Sequence, residues 1–113
     1  MIGHYQFGAM TVGGKIYRND LKIIDDEVIS RWWRREGHTC DIEDVQDILA
    51  SGPETLVVGM GQPGRMHVTD SLRKVLKDAR IELIEQPTAE AVQTFNRLHG
   101  RGKRVAGAFH LTC

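Results

Sequence analysis

The chain lacks several things that would narrow its class. Cysteine is nearly absent, with Cys40 and Cys113 the only two among 113 residues. A disulfide-stapled scaffold is therefore excluded, and nothing requires the two to pair. Net charge is absent too: 15 Lys and Arg balance 15 Asp and Glu. A generic binder of nucleic acid or anionic membrane needs a basic excess that this chain does not have. No apolar run approaches the roughly 18 residues of a membrane span. There is no internal repeat, low-complexity segment or linker. The opening Met1-Ile-Gly-His-Tyr-Gln-Phe-Gly8 has neither a basic region followed by an apolar stretch nor the Arg-rich character of a transit peptide, so the expected location is cytoplasmic.

What remains is ordinary for a folded domain: 41% hydrophobic and 27% charged residues, at a length that suits one α/β domain over 1–113. The zero charge conceals an asymmetry. Residues 1–56 sum to −4 and residues 57–113 to +4. Complementary surfaces on one compact body explain this most simply, and a field that orients the protein on a partner is the functional alternative.

The first quarter reads as strands. His4–Met10 mixes apolar and aromatic residues, and Gly13-Gly14 between Thr11-Val12 and Lys15-Ile16-Tyr17 is a two-residue hairpin signal. Leu21–Ile24 is a further short strand, ended by Asp25-Asp26-Glu27. Residues 30–40 read as a loop or irregular strand packing aromatics on a sheet edge. A helix is expected over 41–51, capped by Asp41 with Ile42, Val45, Ile48 and Leu49 on one stripe, and stopped by Gly52-Pro53. From there strand and helix alternate. Thr55–Gly59 is a short apolar run typical of a strand buried on both faces. Thr69 caps a helix to about Ala79, and Ile81–Ile84 is a strand. Thr88 caps a helix that Gly100 and Gly102 end. Val105–Leu111 is a final strand whose small residues admit close packing. The pattern predicts a three-layer α/β fold with a mixed central sheet, an N-terminal hairpin and helices on its faces.

Four constellations could carry chemistry. Gly59-Met60-Gly61-Gln62-Pro63-Gly64 spells GxGxxG after a strand, with Glu82 and Glu85 where a ribose-binding acid would be sought. Helix does not begin at the third glycine and strands are too few for a dinucleotide fold, so a tight glycine loop that reverses the chain, or a site for a small anion, fits better. If the strands before 59–67 and 86–88 are parallel, Arg65, His67 and Thr88 share one edge with free N–H groups near Ala89 and Glu90. His110 joins that edge only if the last strand is parallel as well. His38, Cys40, His110 and Cys113 include zinc-type ligands, but their spacing matches no zinc pattern, so no metal is expected. Either thiol would need His38 or His110 as a base to act as a nucleophile. Arg31-Trp32-Trp33-Arg34-Arg35 joins cations to aromatics, and Arg97–Arg104 is a second basic cluster. Such segments hold single-stranded nucleic acid or anchor protein interfaces, and zero net charge favours the second.

An ordered set of motifs spans nearly the whole chain: Gly14-Lys15-x-Tyr17-x-x-Asp20, Trp33-Arg34 with Gly37-His38, Val58-Gly59-x-Gly61, Pro87-Thr88-x-Glu90-Ala91 with Phe95-Asn96, and His110-Leu111-Thr112-Cys113. In these the sequence resembles a small single-domain family that includes mitochondrial respiratory complex I assembly factor three and the adipogenesis-associated domain protein, with archaeal and bacterial members. The resemblance implies a three-layer α/β fold with a mixed sheet, and no established catalytic residue or cofactor. Eukaryotic members act as assembly or regulatory partners of other proteins. Cys40 lies outside the shared pattern. The leading expectation is a non-enzymatic protein-binding domain, with self-association as one form. Its partner surface would be Arg31, Trp32, Trp33, Arg34 and Arg35. The rival is a small-molecule or anion-binding enzyme using the glycine loop 59–64 and the helix start 86–90, with Gly59, Gly61, Gly64, Arg65, His67, Thr88 and His110 at the edge formed by 59–67 and 86–90, which requires a concave pocket there. Binding of RNA or single-stranded DNA is the weakest of the three.

Overall fold

Alternation of apolar side chains along each strand decides which layer covers which face of the sheet. In the computed structural model, which describes residues 1–113, a five-stranded sheet runs in the order β5-β4-β10-β7-β9. Its members are β4 (Leu21–Ile24), β5 (Glu27–Ile29), β7 (Thr55–Gly59), β9 (Glu82–Gln86) and β10 (Val105–Phe109). β7, β9 and β10 are mutually parallel, and β4 and β5 add as an antiparallel edge. Every residue of β7 and β10 is buried, because both strands are covered on both faces. Leu56, Val58, Ala106 and Ala108 face one way, into a cluster with Trp32, Ile48, Leu72 and Leu76. Val57, Val105 and Phe109 face the other way, onto Ala91, Val92 and Phe95 and onto Ile2, Met10 and Val12. The mixed three-layer α/β fold expected from the sequence is what forms.

One outer layer is built from α1 (Gln46–Ser51) and α2 (Asp70–Asp78). The other is α3 (Thr88–Gly100) with a three-stranded antiparallel meander, β1 (Ile2–Gln6), β2 (Ala9–Val12) and β3 (Lys15–Tyr17). Gly13 and Gly14 turn β2 into β3 with φ of +57° and +81°, the backbone a two-residue hairpin demands. The small residues of β10 do admit a close neighbour. Gly107 leaves room for Phe95 and Phe109, whose rings meet edge to face at 5.8 Å.

Several expected boundaries move. The strand expected over 4–10 is two strands, broken by a turn at Phe7-Gly8 where Gly8 takes a positive φ. β4 does end at Ile24 with Asp25-Asp26 exposed, and these two form the turn of a hairpin into β5, a strand the sequence pattern did not show. The helix expected over 41–51 is a 3-10 turn (Ile42–Asp44) followed by α1. The cause is Asp44: its carbonyl accepts from Trp32 Nε1 at 2.8 Å and from Lys22 Nζ at 3.3 Å, and Ile48 N–H bonds Asp47 Oδ1 instead of continuing the ladder. Asp41 caps this turn in a box with Asp44, and Thr69 caps α2 as expected. Residues 30–40 end in a short strand, β6 (Thr39–Cys40), parallel to β8 (His67–Val68), which ties this segment to the glycine loop.

Candidate functional site

The parallel direction of β7, β9 and β10 brings three connections to one edge of the sheet: the glycine loop after β7, residues 86–88 after β9 and residues 110–113 after β10. His110 therefore does reach the edge that Thr88 and the glycine loop occupy. The edge is filled by the chain itself. Gln62 N–H donates to the Thr112 carbonyl at 2.8 Å and Arg65 N–H to the Cys113 carbonyl at 2.9 Å. His110 N–H donates to the Gly59 carbonyl, and Thr88 N–H to the Gly61 carbonyl. The amides expected to be free are taken: Ala89 N–H by Gln62 Oε1 and Glu90 N–H by the Pro87 carbonyl.

Thr88 is not a helix cap. Its hydroxyl donates to the His110 carbonyl at 2.6 Å and accepts from Gly61 N–H at 2.8 Å, linking all three connections. The glycines serve close backbone approach, as GxGxxG glycines do, but the backbone approached is the chain's own. A Cβ on Gly59 would sit 3.0 Å from Thr88 Oγ1, and one on Gly61 would meet the Thr112 carbonyl and lie 2.8 Å from His110 Cδ2. No cavity is lined by residues 59–67 or 110–113; of residues 86–90 only Ala89 borders one, which opens away from the glycine loop between β1 and α3. The side chains of Arg65 and His67 lie exposed and outside this knot.

Behind the glycine loop lies a buried charged cluster that the sequence reading did not assemble. Asp20, in the connection from β3 to β4, has 17% of its side chain exposed; Arg34 has 4% and His110 7%. Asp20 Oδ2 accepts from Arg34 Nη2 at 2.8 Å and from His110 Nδ1 at 2.7 Å, while Oδ1 accepts from Leu111 N–H at 2.7 Å. Burial alone would raise the Asp20 pKa, but the bonds from His110, Leu111 N–H and Arg34 outweigh it and hold the carboxyl below its ordinary value. Tyr5 Oη donates to the Leu111 carbonyl, and burial, then the Asp20 charge, raises its pKa. Arg34 also donates to the Gly37 carbonyl and stacks 4.6 Å from the Trp32 ring centroid. An aspartate fixing a histidine through Nδ1 resembles the orienting pair of acid–base catalysis. Here His110 Nε2 is buried with no partner, and the two Asp20 oxygens bond His110 Nδ1 and Leu111 N–H, tying residues 110–111 to the β3–β4 connection.

Asp20, Arg34 and His110 belong to the shared motifs quoted above, which was the one signal that could have joined residues 90 positions apart. His38 meets His110 edge to face at 5.7 Å, and Cys113 Sγ lies 4.0 Å from His38 Nε2. Cys40 is elsewhere, buried in the α1/α2 core, where desolvation and then Asp44 push its thiol pKa up to about 12. No three His, Cys, Asp or Glu side chains converge as metal ligands.

The segment 31–35 divides between inside and outside. Trp32 is 4% exposed, with its indole N–H on the Asp44 carbonyl, and Arg34 is interior. Both are thereby removed from the expected partner surface, because each satisfies a buried acceptor. Trp33 stands 75% exposed between them, flanked by exposed Arg31 and Arg35. Arg35 pairs with Glu43, while Asp25 and Asp26 bind Arg104 and His99.

A mixed sheet of this order, with its own connections folded over the glycine edge, defines a small α/β domain distinct from dinucleotide-binding folds. The chain belongs to the family described as protein of unknown function (DUF498/DUF598), whose model matches residues 2–110. It is similar to the solved structure MT938, at 28% identity over 100% of this chain and 98% of that one, with a TM-score of 0.83. A conserved hypothetical protein from Pyrococcus horikoshii is 27% identical over 100% and 99% of the two chains, with a TM-score of 0.84. The Rpa2829 protein from Rhodopseudomonas palustris is 26% identical over 96% of this chain and 81% of that one, with a TM-score of 0.77. No helix is long and apolar enough to cross a membrane.

Proposed function

We propose that the protein is a non-enzymatic interaction domain that works by binding another protein, in the manner of the assembly factors its sequence resembles. One observation carries this reading: Trp33 is held 75% exposed between two residues locked in the interior. A tryptophan offers roughly 150–250 Å² of burial to a partner. The bonds of Trp32 to Asp44 and of Arg34 to Asp20 and Gly37 fix its backbone beforehand, which lowers the ordering cost of association. Arg31 and Arg35 beside it are exposed, and Trp and Arg are the residues most enriched at interface hot spots. The enzyme reading lacks support of this kind, because the amides a small anion would need are bonded within the chain: Gln62 and Arg65 to the carbonyls of residues 112 and 113, Gly61 to Thr88, Ala89 to Gln62 and Glu90 to Pro87.

The test is site-specific photo-crosslinking in cells, with the crosslinker placed at position 33 or, as a control, at exposed position 77 on α2. The expected result is one discrete adduct from position 33 alone, lost when Arg31→Glu and Arg35→Glu are added. Equal adducts from both positions, or none from 33, would overturn the reading.

A further inference from the structure

We infer that the open edge of β3 is a docking site for an extended acidic segment of a partner protein, added as a fourth strand to the meander. This rests on the protein-binding reading above and names the chemistry of the partner.

β3 pairs only with β2, so its other edge is unpartnered. The two-residue turn makes Val12 and Lys15 a hydrogen-bonded pair, and the antiparallel alternation then directs the N–H and C=O of Ile16 outward. Ile16 is itself an exposed large aliphatic. Beside it opens a cavity of about 180 Å³, lined by Lys15, Ile16, Tyr17 and Arg18 from β3 and its exit, and by Ser30 and Arg31 from the exit of β5.

Charge sets the kind of strand that fits. Three cations line this trough and no acid does. Lys15, Arg18 and Arg31 make no ion pair, which is also true of Arg65, Lys77, Arg80, Arg97, Arg101 and Lys103; what sets the three apart is that they line one trough beside a free strand edge. Lys15 rests 5.3 Å from the Tyr17 ring centroid, its ammonium free for a second partner. Arg31 holds a left-handed backbone with φ of +55°, an uncommon conformation for a long side chain. A lysine on an edge strand normally repels other edges. Three unpaired cations beside one free edge reject neutral and basic strands and accept an acidic one, so the same charges supply both exclusion and selection. The ladder bonds would come from Ile16, apolar contact from its side chain, and specificity from Lys15, Arg18 and Arg31.

The probe is a fluorescent peptide of about seven residues alternating Glu or Asp with Val, titrated against the full chain and read by anisotropy and by amide chemical shifts. Saturable binding is expected, with shifts confined to residues 14–19 and 30–31, and affinity falling as salt rises from about 20 to 300 mM. The Lys15→Glu, Arg18→Glu, Arg31→Glu variant should weaken it roughly tenfold or more. All three side chains are exposed, so its unfolding midpoint serves as the folding control. A peptide N-methylated on every residue keeps its charge but loses the donors of both edges and should bind at least roughly tenfold more weakly. Equal binding by the N-methylated peptide or by the triple variant would overturn the inference. So would absence of binding, tighter binding of an oligouridylate, or a dimer of the free chain that the triple variant abolishes. A position-33 crosslink that survives the loss of peptide binding would leave the protein-binding reading standing and remove only this docking mode.

Discussion

Replacing Asp20 by Asn should strongly destabilise the fold, because it breaks a buried charged cluster while changing one atom. The substitution keeps size and shape. Asn can still accept from Leu111 N–H through its oxygen, but its amide NH₂ then faces two donors, Arg34 Nη2 and His110 Nδ1, where a carboxylate oxygen accepted both. Arg34, 4% exposed, is left as an uncompensated buried charge. Removing one partner of a buried pair costs about 3–5 kcal/mol. The 17% exposure of Asp20 and the surviving Leu111 bond point to the lower end, about 3 kcal/mol. With an unfolding entropy of about 2.1 cal/mol/K per residue, that lowers the melting temperature by roughly 12 °C. Urea unfolding followed by circular dichroism measures it directly. Arg34→Met in the same background should recover part of the loss, because the stranded charge goes with it. A loss below about 1 kcal/mol for Asp20→Asn, or full additivity with Arg34→Met, would refute the cluster as a clamp.

Acid should reveal the same group. The folded Asp20 pKa lies below the unfolded value of 3.8, so its contribution is complete above that value and is lost as pH falls through the folded pKa. The wild type should lose stability below about pH 4 more steeply than Asp20→Asn, as read from unfolding midpoints across pH. A thiol reagent at about pH 8 should label Cys113 quickly and Cys40 only after unfolding, given a Cys40 pKa near 12; two fast thiols in the native protein would contradict the burial of Cys40. Trp32→Ala should cost about 3–5 kcal/mol and Trp33→Ala less than about 0.5 kcal/mol in urea unfolding. Gly61→Ala, at φ of +95° and against His110, should cost about 2–3 kcal/mol and speed amide exchange at Gln62 and Arg65 as residues 110–113 detach.

Much of the fold was legible because its signals are local. The apolar runs of β7 and β10, the Gly13-Gly14 turn and the Thr69 cap each declare themselves within a few residues. The break after Asp44 was not legible, since Trp32 and Lys22 cause it from 12 and 22 residues away. Thr88 is a favourable cap by residue type, yet its hydroxyl is taken by His110 and Gly61, which arrive at it only through parallel pairing. GxGxxG correctly marked a place where backbone must come close, but spacing cannot say whose backbone. In Arg31–Arg35 composition marks a candidate interface, whereas burial separates Trp33 from Trp32 and Arg34. The opposite charges of the two halves meet at only one Lys/Arg ion pair, Asp25 with Arg104; the other five lie within a half.

The proposed partner face and the glycine edge lie on different parts of the chain, so hydrogen exchange can tell them apart. The protein, purified natively with whatever binds it and compared with the free chain, should gain protection at residues 14–19 and 30–36 and none at 59–67 or 110–113. Protection concentrated at the glycine loop and residues 110–113, with the Trp33 segment unchanged, would contradict a protein-binding role for this face and return attention to the sheet edge.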